Sequence, residues 1–225
     1  MVMDRSVNKR VGVFGGTFDP IHCGHLRAAV EVCRACGLDE LFFMPAAIPP
    51  HKQNVRVGSA AQRLAMVELA IRGEAKFHCS TYELDKGGTS YSIDTLTGFR
   101  KKIGHELYFI IGWDAFGEIS TWKSYRQLFG ASHFVVMSRS GSEPGWLDDG
   151  NMDIFPVATR ADFCYEKEGV YRHHSGNRVY FQSVTRLDIS SSMIRRERQW
   201  GYSITCLVPD AVNDYILEHD LYRSS

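Results

Sequence analysis

Five consecutive apolar residues, Leu107-Tyr-Phe-Ile-Ile111, set the strongest limit on how this chain folds. No polar residue alternates with them, so a strand here must be covered on both of its faces. His133 to Ser138 repeats the character. Several hydrophobic strands separated by helical patterns call for an α/β fold: a Rossmann-like, doubly wound, mostly parallel sheet with helices on both faces. No repeat, low-complexity tract or linker divides the 225 residues, a length that suits one such domain. The expectation is a single domain over 1–225, with residues 1–9 a flexible N-terminus and 141–185 an irregular, insertion-like segment.

The remaining elements follow from periodicity and punctuation. Val11 to Phe14 reads as a short strand ending at Gly15-Gly16, and Gly24 to Cys36 as a helix stopped by Gly37. Glu40 to Met44 reads as a strand. The stretch from Pro45 to Gly58, with three prolines, reads as a long surface loop. Ser59 with Gln62 three residues on forms a capping box for a helix to about Arg72. A strand is expected near Phe77 to Glu83 and a helix over Ser92 to Lys102. A hairpin is expected around Tyr171 to Phe181 through Ser175-Gly-Asn177, with closing helices over Ile189 to Arg198 and Pro209 to His219.

Charge excludes some partners. Lys and Arg number 26 against 26 Asp and Glu, so no chain-wide field draws the protein to nucleic acid or to an anionic membrane, and an anionic ligand needs a local site. No segment approaches the ~20 apolar residues of a membrane helix, and Met1 to Arg10 lacks the apolar run of an export signal. A cytoplasmic location is expected. Six cysteines in a chain of this length read as reduced thiols, and Cys33-Arg-Ala-Cys36 is a lone pair without a second pair at zinc spacing.

The chemistry-bearing stretch is Gly15-Gly-Thr-Phe-Asp-Pro-Ile-His-Cys-Gly-His25, joining the first strand to the first helix. Open α/β sheets bind ligands at this place, beyond the carboxyl ends of their strands. The glycines let backbone approach a phosphate, and the helix N-terminus adds partial positive charge. His22 and His25, three apart on one helical turn, can face the same anion. The stretch is neither the G-x-G-x-x-G dinucleotide fingerprint nor a P-loop, and the two histidines lack an evident third metal ligand. A second anion site is read at Ile189-Ser-Ser-Ser-Met-Ile-Arg195, where hydroxyls start a helix and a guanidinium follows one turn in.

These two stretches, together with Ile48-Pro-Pro-His-Lys52, Thr89 to Leu96, Phe109 to Phe116 and Thr121 to Leu128, closely resemble bacterial nicotinate-mononucleotide adenylyltransferases. The resemblance runs in order from Val11 to Tyr222 and thins between Gly141 and Thr185. It implies transfer of AMP from ATP to nicotinate mononucleotide, giving deamido-NAD and pyrophosphate, with Mg²⁺ on the triphosphate and no metal held by the protein alone. It implies His22, His25 and Arg195 as the catalytic groups. Gly15, Gly16, Thr17, Phe18, Gly112, Asp114, Ser191 and Ser192 are implied ATP contacts. His51, Lys52, Ser92, Trp122 and Lys123 are the implied acceptor contacts, Trp122 stacking on the pyridine ring and backbone near Ser92 and Lys123 capturing its carboxylate. Ala46 and Lys123 depart from the family's frequent asparagine and aromatic residue, and Ser192 replaces a frequent threonine. Nicotinamide mononucleotide is the competing acceptor, and a catalytically silent nucleotide-binding module on the same fold is the competing class. A homo-oligomer is left open.

Overall fold

The structure, a computed structural model, describes residues 8–48, 58–139 and 150–223. Eight strands form one sheet: β1 (Arg10–Gly16), β2 (Glu40–Pro45), β3 (Phe77–Cys79), β4 (Glu106–Gly112), β5 (His133–Arg139), β6 (Phe163–Lys167), β7 (Val170–His173) and β8 (Arg178–Val184). Their spatial order is β3-β2-β1-β4-β5-β8-β7-β6. Pairing is parallel from β3 through β8, and antiparallel from β8 to β7 and from β7 to β6. The chain moves outward in one direction from β1 to β3 and in the other from β4 to β5, then crosses to the far edge at β6 and returns through β7 to β8. The β1/β4 seam is therefore the switch point where open sheets leave a crevice.

Eight α-helices accompany the strands: α1 (Cys23–Cys36), α2 (Ala60–Ala70), α3 (Tyr82–Lys86), α4 (Ser92–Ile103), α5 (Trp113–Gly117), α6 (Tyr125–Ala131), α7 (Ser191–Gln199) and α8 (Asp210–Glu218). The strand residues divide by parity between two cores. Phe14, Tyr108, Ile110 and Val135 face α1, α2, α7 and α8 through Ala29, Met66, Ile194 and Ile216. Val13, Phe109, Ile111, Phe134 and Val136 face α4, α5 and α6 through Leu96, Phe116 and Leu128. The apolar run Leu107 to Ile111 is buried throughout, as its lack of a polar face requires.

Local signals account for the helix ends. Ser59 Oγ accepts from the Gln62 N–H at 3.2 Å while Gln62 Oε1 accepts from the Ser59 N–H at 2.9 Å, the reciprocal pair expected at the start of α2. Gly37 ends α1 at φ 60°, where a side chain would be strained.

Three elements differ from expectation. β1 continues through Gly15 and Gly16, which pair with Met44 and Pro45 of β2, so the turn comes at Thr17-Phe18 instead. The strand expected to Glu83 stops at Cys79, because its partner β2 offers only Leu41 to Phe43 and Pro45 ends that strand. The chain then turns into α3, closed by Thr81 Oγ1 donating to Asp85 Oδ2 at 2.8 Å. The segment expected to be irregular carries β6, β7 and β8 in its described part, with β8 hydrogen-bonded along β5. The hairpin turn at Ser175 to Asn177 forms as read: the Asn177 amide and the Ser175 hydroxyl both donate to the Phe129 carbonyl, fastening the turn to α6.

Candidate active site

Two cavities open along the carboxyl ends of β1 and β4. The smaller, about 350 Å³, is lined by Gly15, Gly16 and Thr17 of β1 and its turn, Ser92 of α4, and Trp122 and Lys123 beyond α5. The larger, about 580 Å³, is lined by His22 and His25 of α1, Asp114 of α5, and Ser190, Ser191 and Ser192 at the start of α7. Both lie in the size range of small-molecule sites. Phe14 and Gly112 line both, so the cavities meet at the β1/β4 seam.

The α1 start is built by its own sequence. His22 occupies the N-cap in extended backbone, and its N–H donates to Nδ1 of His25 at 3.3 Å. The two rings stack with centroids 3.7 Å apart. Phe18 turns the preceding loop with φ 50°, left-handed backbone that a phenylalanine adopts only when its surroundings hold it there. Its ring, 2% exposed, packs edge-on against Phe14, His25 and Phe43. Gly16 is required beneath it, since a Cβ there would meet that ring at 2.8 Å.

At the α7 start, Ser190 Oγ accepts from the Met193 N–H at 3.2 Å and caps the helix. Ser191 Oγ donates to the Pro20 carbonyl at 2.8 Å, fastening α7 to the loop that carries His22. Arg195 donates from Nη1 to the Asp19 carbonyl at 2.7 Å and from Nη2 to Ser192 Oγ at 3.3 Å. Two helix N-termini, α1 and α7, thus border one cavity, an arrangement that favours a polyanion.

In the smaller cavity the Trp122 indole meets the Phe109 ring at 68°, centroids 6.3 Å apart. Ser92 is the first residue of α4, whose leading N–H groups have no intrahelical acceptor. Lys123 Nζ lies 4.5 Å from the Tyr91 ring centroid and 3.0 Å from Asp94 Oδ2.

Of the residues singled out in the sequence, His22, His25, Asp114, Ser191 and Ser192 come together around the larger cavity, with Arg195 bonded to Ser192 at its edge. Gly15, Gly16 and Thr17, implied as ATP contacts, line the smaller cavity with Ser92, Trp122 and Lys123, next to the seam shared with the larger one. The extension of β1 through Gly16 carries them there. The side chain of Phe18 is core, leaving its backbone toward the loop. Gly112 joins the two groups. His51 and Lys52 lie outside the described residues.

Four buried polar groups escaped the sequence reading. Arg63 of α2, 2% exposed, donates to the carbonyls of Thr17 at 2.9 Å, Gly58 at 3.1 Å and Ala47 at 3.3 Å. It ties the turn after β1 to both described ends of the loop between β2 and α2, and its burial lowers the guanidinium from its ordinary value. Asp19 and Tyr222 form a hydrogen-bonded pair below that turn. Glu83 of α3 lines the smaller cavity and accepts from Thr95 Oγ1 at 2.7 Å, with burial raising its carboxyl above the ordinary value. The sequence signal for Arg63 is its position among the apolar residues of the α2 pattern. Away from both cavities, Asp162, His173 and His174 bring potential metal-ligand atoms within 4.8 Å of one another, and Nδ1 of His173 also lies 2.8 Å from Ser175 Oγ.

Fold and cavities together define a nucleotidyltransferase-type chain, and residues 13–197 match the family model described as cytidylyltransferase-like. Relatives are close. A protein of Geobacter sp. (strain M21) named "probable nicotinate-nucleotide adenylyltransferase" is 45% identical over 95% of this chain and 98% of its own length. One of Desulfatibacillum aliphaticivorans with the same name is 41% identical over 95% and 99%. The chain belongs to the nicotinate-nucleotide adenylyltransferase family. The fold is shared with the Plasmodium falciparum nicotinic acid mononucleotide adenylyltransferase complexed with NaAD, at TM-score 0.71 and 18% identity over 95% of this chain and 97% of that one.

Proposed function

We propose that this protein transfers AMP from ATP to nicotinate mononucleotide, yielding deamido-NAD and pyrophosphate. The observation that carries the reading is the pair of cavities meeting at Gly112 and Phe14 beside the stacked histidines of α1. ATP takes the larger cavity, with its phosphates toward the α1 and α7 N-termini. The acceptor takes the smaller, with its pyridine ring against Trp122 and its carboxylate toward the α4 N-terminus and Lys123.

A phosphate oxygen of the mononucleotide attacks the α-phosphorus of ATP, and the bond to pyrophosphate breaks. The nucleophile is already an anion and the leaving group is good, so neither a covalent enzyme intermediate nor a strong base is needed. Alignment across the seam and charge stabilisation carry the rate, the former worth up to about 7–11 kcal/mol. His22 and His25 stabilise charge on the transferring and leaving phosphates, and Arg195 holds the outer ones. Asp114 is suited to accept from ribose hydroxyls. One carboxylate with the serine hydroxyls also suits Mg²⁺ that arrives on the triphosphate and takes few protein oxygens. No helix among the described residues is long and apolar enough to cross a membrane, and we read the protein as cytoplasmic, in keeping with its six free cysteines. We take the eight strands of one sheet as a single domain.

The test is pyrophosphate release from ATP and Mg²⁺, run in parallel with nicotinate and nicotinamide mononucleotides. Preferential turnover of the acid is expected. Preference for the amide would overturn the carboxylate-capture reading, and no release with either would leave a binding module.

A further inference from the structure

Asp19 is a carboxylate with almost no access to water, 2% exposed below the turn that precedes His22. Its Oδ1 accepts from the Tyr222 hydroxyl at 2.7 Å and from the Gly58 N–H at 3.1 Å. Its Oδ2 accepts no hydrogen bond and faces Nη1 of Arg195 at 3.8 Å. The same Nη1 donates to the Asp19 backbone carbonyl. Arg195 is therefore hydrogen-bonded to the main chain of Asp19, while the Asp19 side chain meets it only as a long ion pair at 3.8 Å. Oδ1 is tied down by the phenol of Tyr222 together with the Gly58 N–H, and the Arg63 guanidinium also acts on the carboxylate. Burial and the adjoining Asp19 carboxylate raise that phenol well above its ordinary value, so it stays a proton donor.

We propose that Tyr222 is a positioning residue for the phosphate end of the site, acting through Asp19 on Arg195. Without its hydroxyl, Asp19 Oδ1 keeps one donor where it had two. The carboxylate is then free to shorten the 3.8 Å ion pair into a direct, charge-assisted hydrogen bond with the guanidinium. A guanidinium neutralised by a buried carboxylate is drawn away from Ser192 and from the phosphates it serves. The inference rests on the reading of Arg195 as a phosphate-holding group.

The test compares the full-length wild type with Tyr222→Phe, Arg195→Lys and the double variant, by steady-state pyrophosphate release at varied ATP and varied acceptor. Thermal unfolding runs alongside. Phenylalanine retains the ring, so only the hydroxyl is lost. Tyr222→Phe is expected to lower kcat/KM for ATP by about 10-fold to 100-fold, the scale of a misplaced catalytic group, with the acceptor KM unchanged. In the Arg195→Lys background the same substitution is expected to cost less than about twofold, because the group it positions is already altered. Full activity of Tyr222→Phe overturns the proposal. So does an equal loss in both backgrounds, or a parallel rise in both substrates' KM, which marks a general loosening of the fold. If Arg195→Lys alone leaves ATP kinetics untouched, the phosphate role of Arg195 fails and the proposal falls with it. That result is distinct from an impaired Arg195→Lys beside a normal Tyr222→Phe, which removes only the role of Tyr222.

Discussion

The imidazole rings of His22 and His25 stand 3.7 Å apart with their planes 26° from parallel. Because Nδ1 of His25 accepts from the His22 N–H, the neutral His25 ring carries its proton on Nε2, and that nitrogen is its donor for an anion. The stack and the hydrogen bond make the two a unit. His22→Ala and His25→Ala are each expected to lower kcat by about 10²- to 10³-fold, the loss found when a preorganised donor is removed from developing charge. The double variant should be little worse than the poorer single one. Steady-state pyrophosphate release measures this, and multiplicative losses would show two independent groups.

Gly16→Ala should be destabilising where Gly15→Ala is tolerated. A Cβ at position 16 meets the buried Phe18 ring at 2.8 Å, while at position 15 its nearest neighbour, Phe109, is 3.6 Å away. The Phe18 ring has nowhere to move, so overpacking of about 1–3 kcal/mol is expected at position 16. Thermal unfolding of the two variants gives the comparison, and equal midpoints would contradict it.

Arg63→Met removes the donors to three carbonyls in a site without water access. The loss is expected to be about 3 kcal/mol or more, because three buried carbonyls lose their donor at about 1–3 kcal/mol each. Arg72→Met, on the exposed end of the same segment, should stay within about 0.5 kcal/mol. Urea unfolding distinguishes them.

Glu83 supplies a pH dependence. Burial raises its folded carboxyl above the unfolded value of 4.5, so the folded state binds more protons between those two values. Stability from this group is fully present below the unfolded value and is lost as pH rises through the folded one. Glu83→Gln keeps an acceptor for Thr95 but cannot ionise. Relative to wild type it should gain in unfolding midpoint as pH rises above about 4.5. A pH-independent difference would refute the account.

The first β-turn-α unit was legible because its signals are local: an apolar run, two glycines and helical spacing lie within a few residues. The α2 capping box and the 175–177 turn were legible for the same reason. What the sequence hid depends on partners distant along the chain. β3 shortens because β2 ends at Pro45, which has no N–H to continue the pairing, and β8 finds its place only beside β5. Arg63 finds its acceptors only at Thr17, Ala47 and Gly58, two of them on other segments of the chain. The Gly15-Gly16 pair looks like a turn, yet β2 pairs with both glycines and extends the strand. His51 and Lys52 gain no placement, since they lie outside the described residues.

The bond between Asp19 and Tyr222 joins positions 203 residues apart. During synthesis, the turn carrying Asp19 leaves the ribosome long before its partner exists, at about 5–20 residues per second. The sheet around β1 and β4 can assemble in that interval, but the contact that finishes the turn cannot. The growing chain thus acquires its scaffold early and the anchor of that turn only when residue 222 emerges.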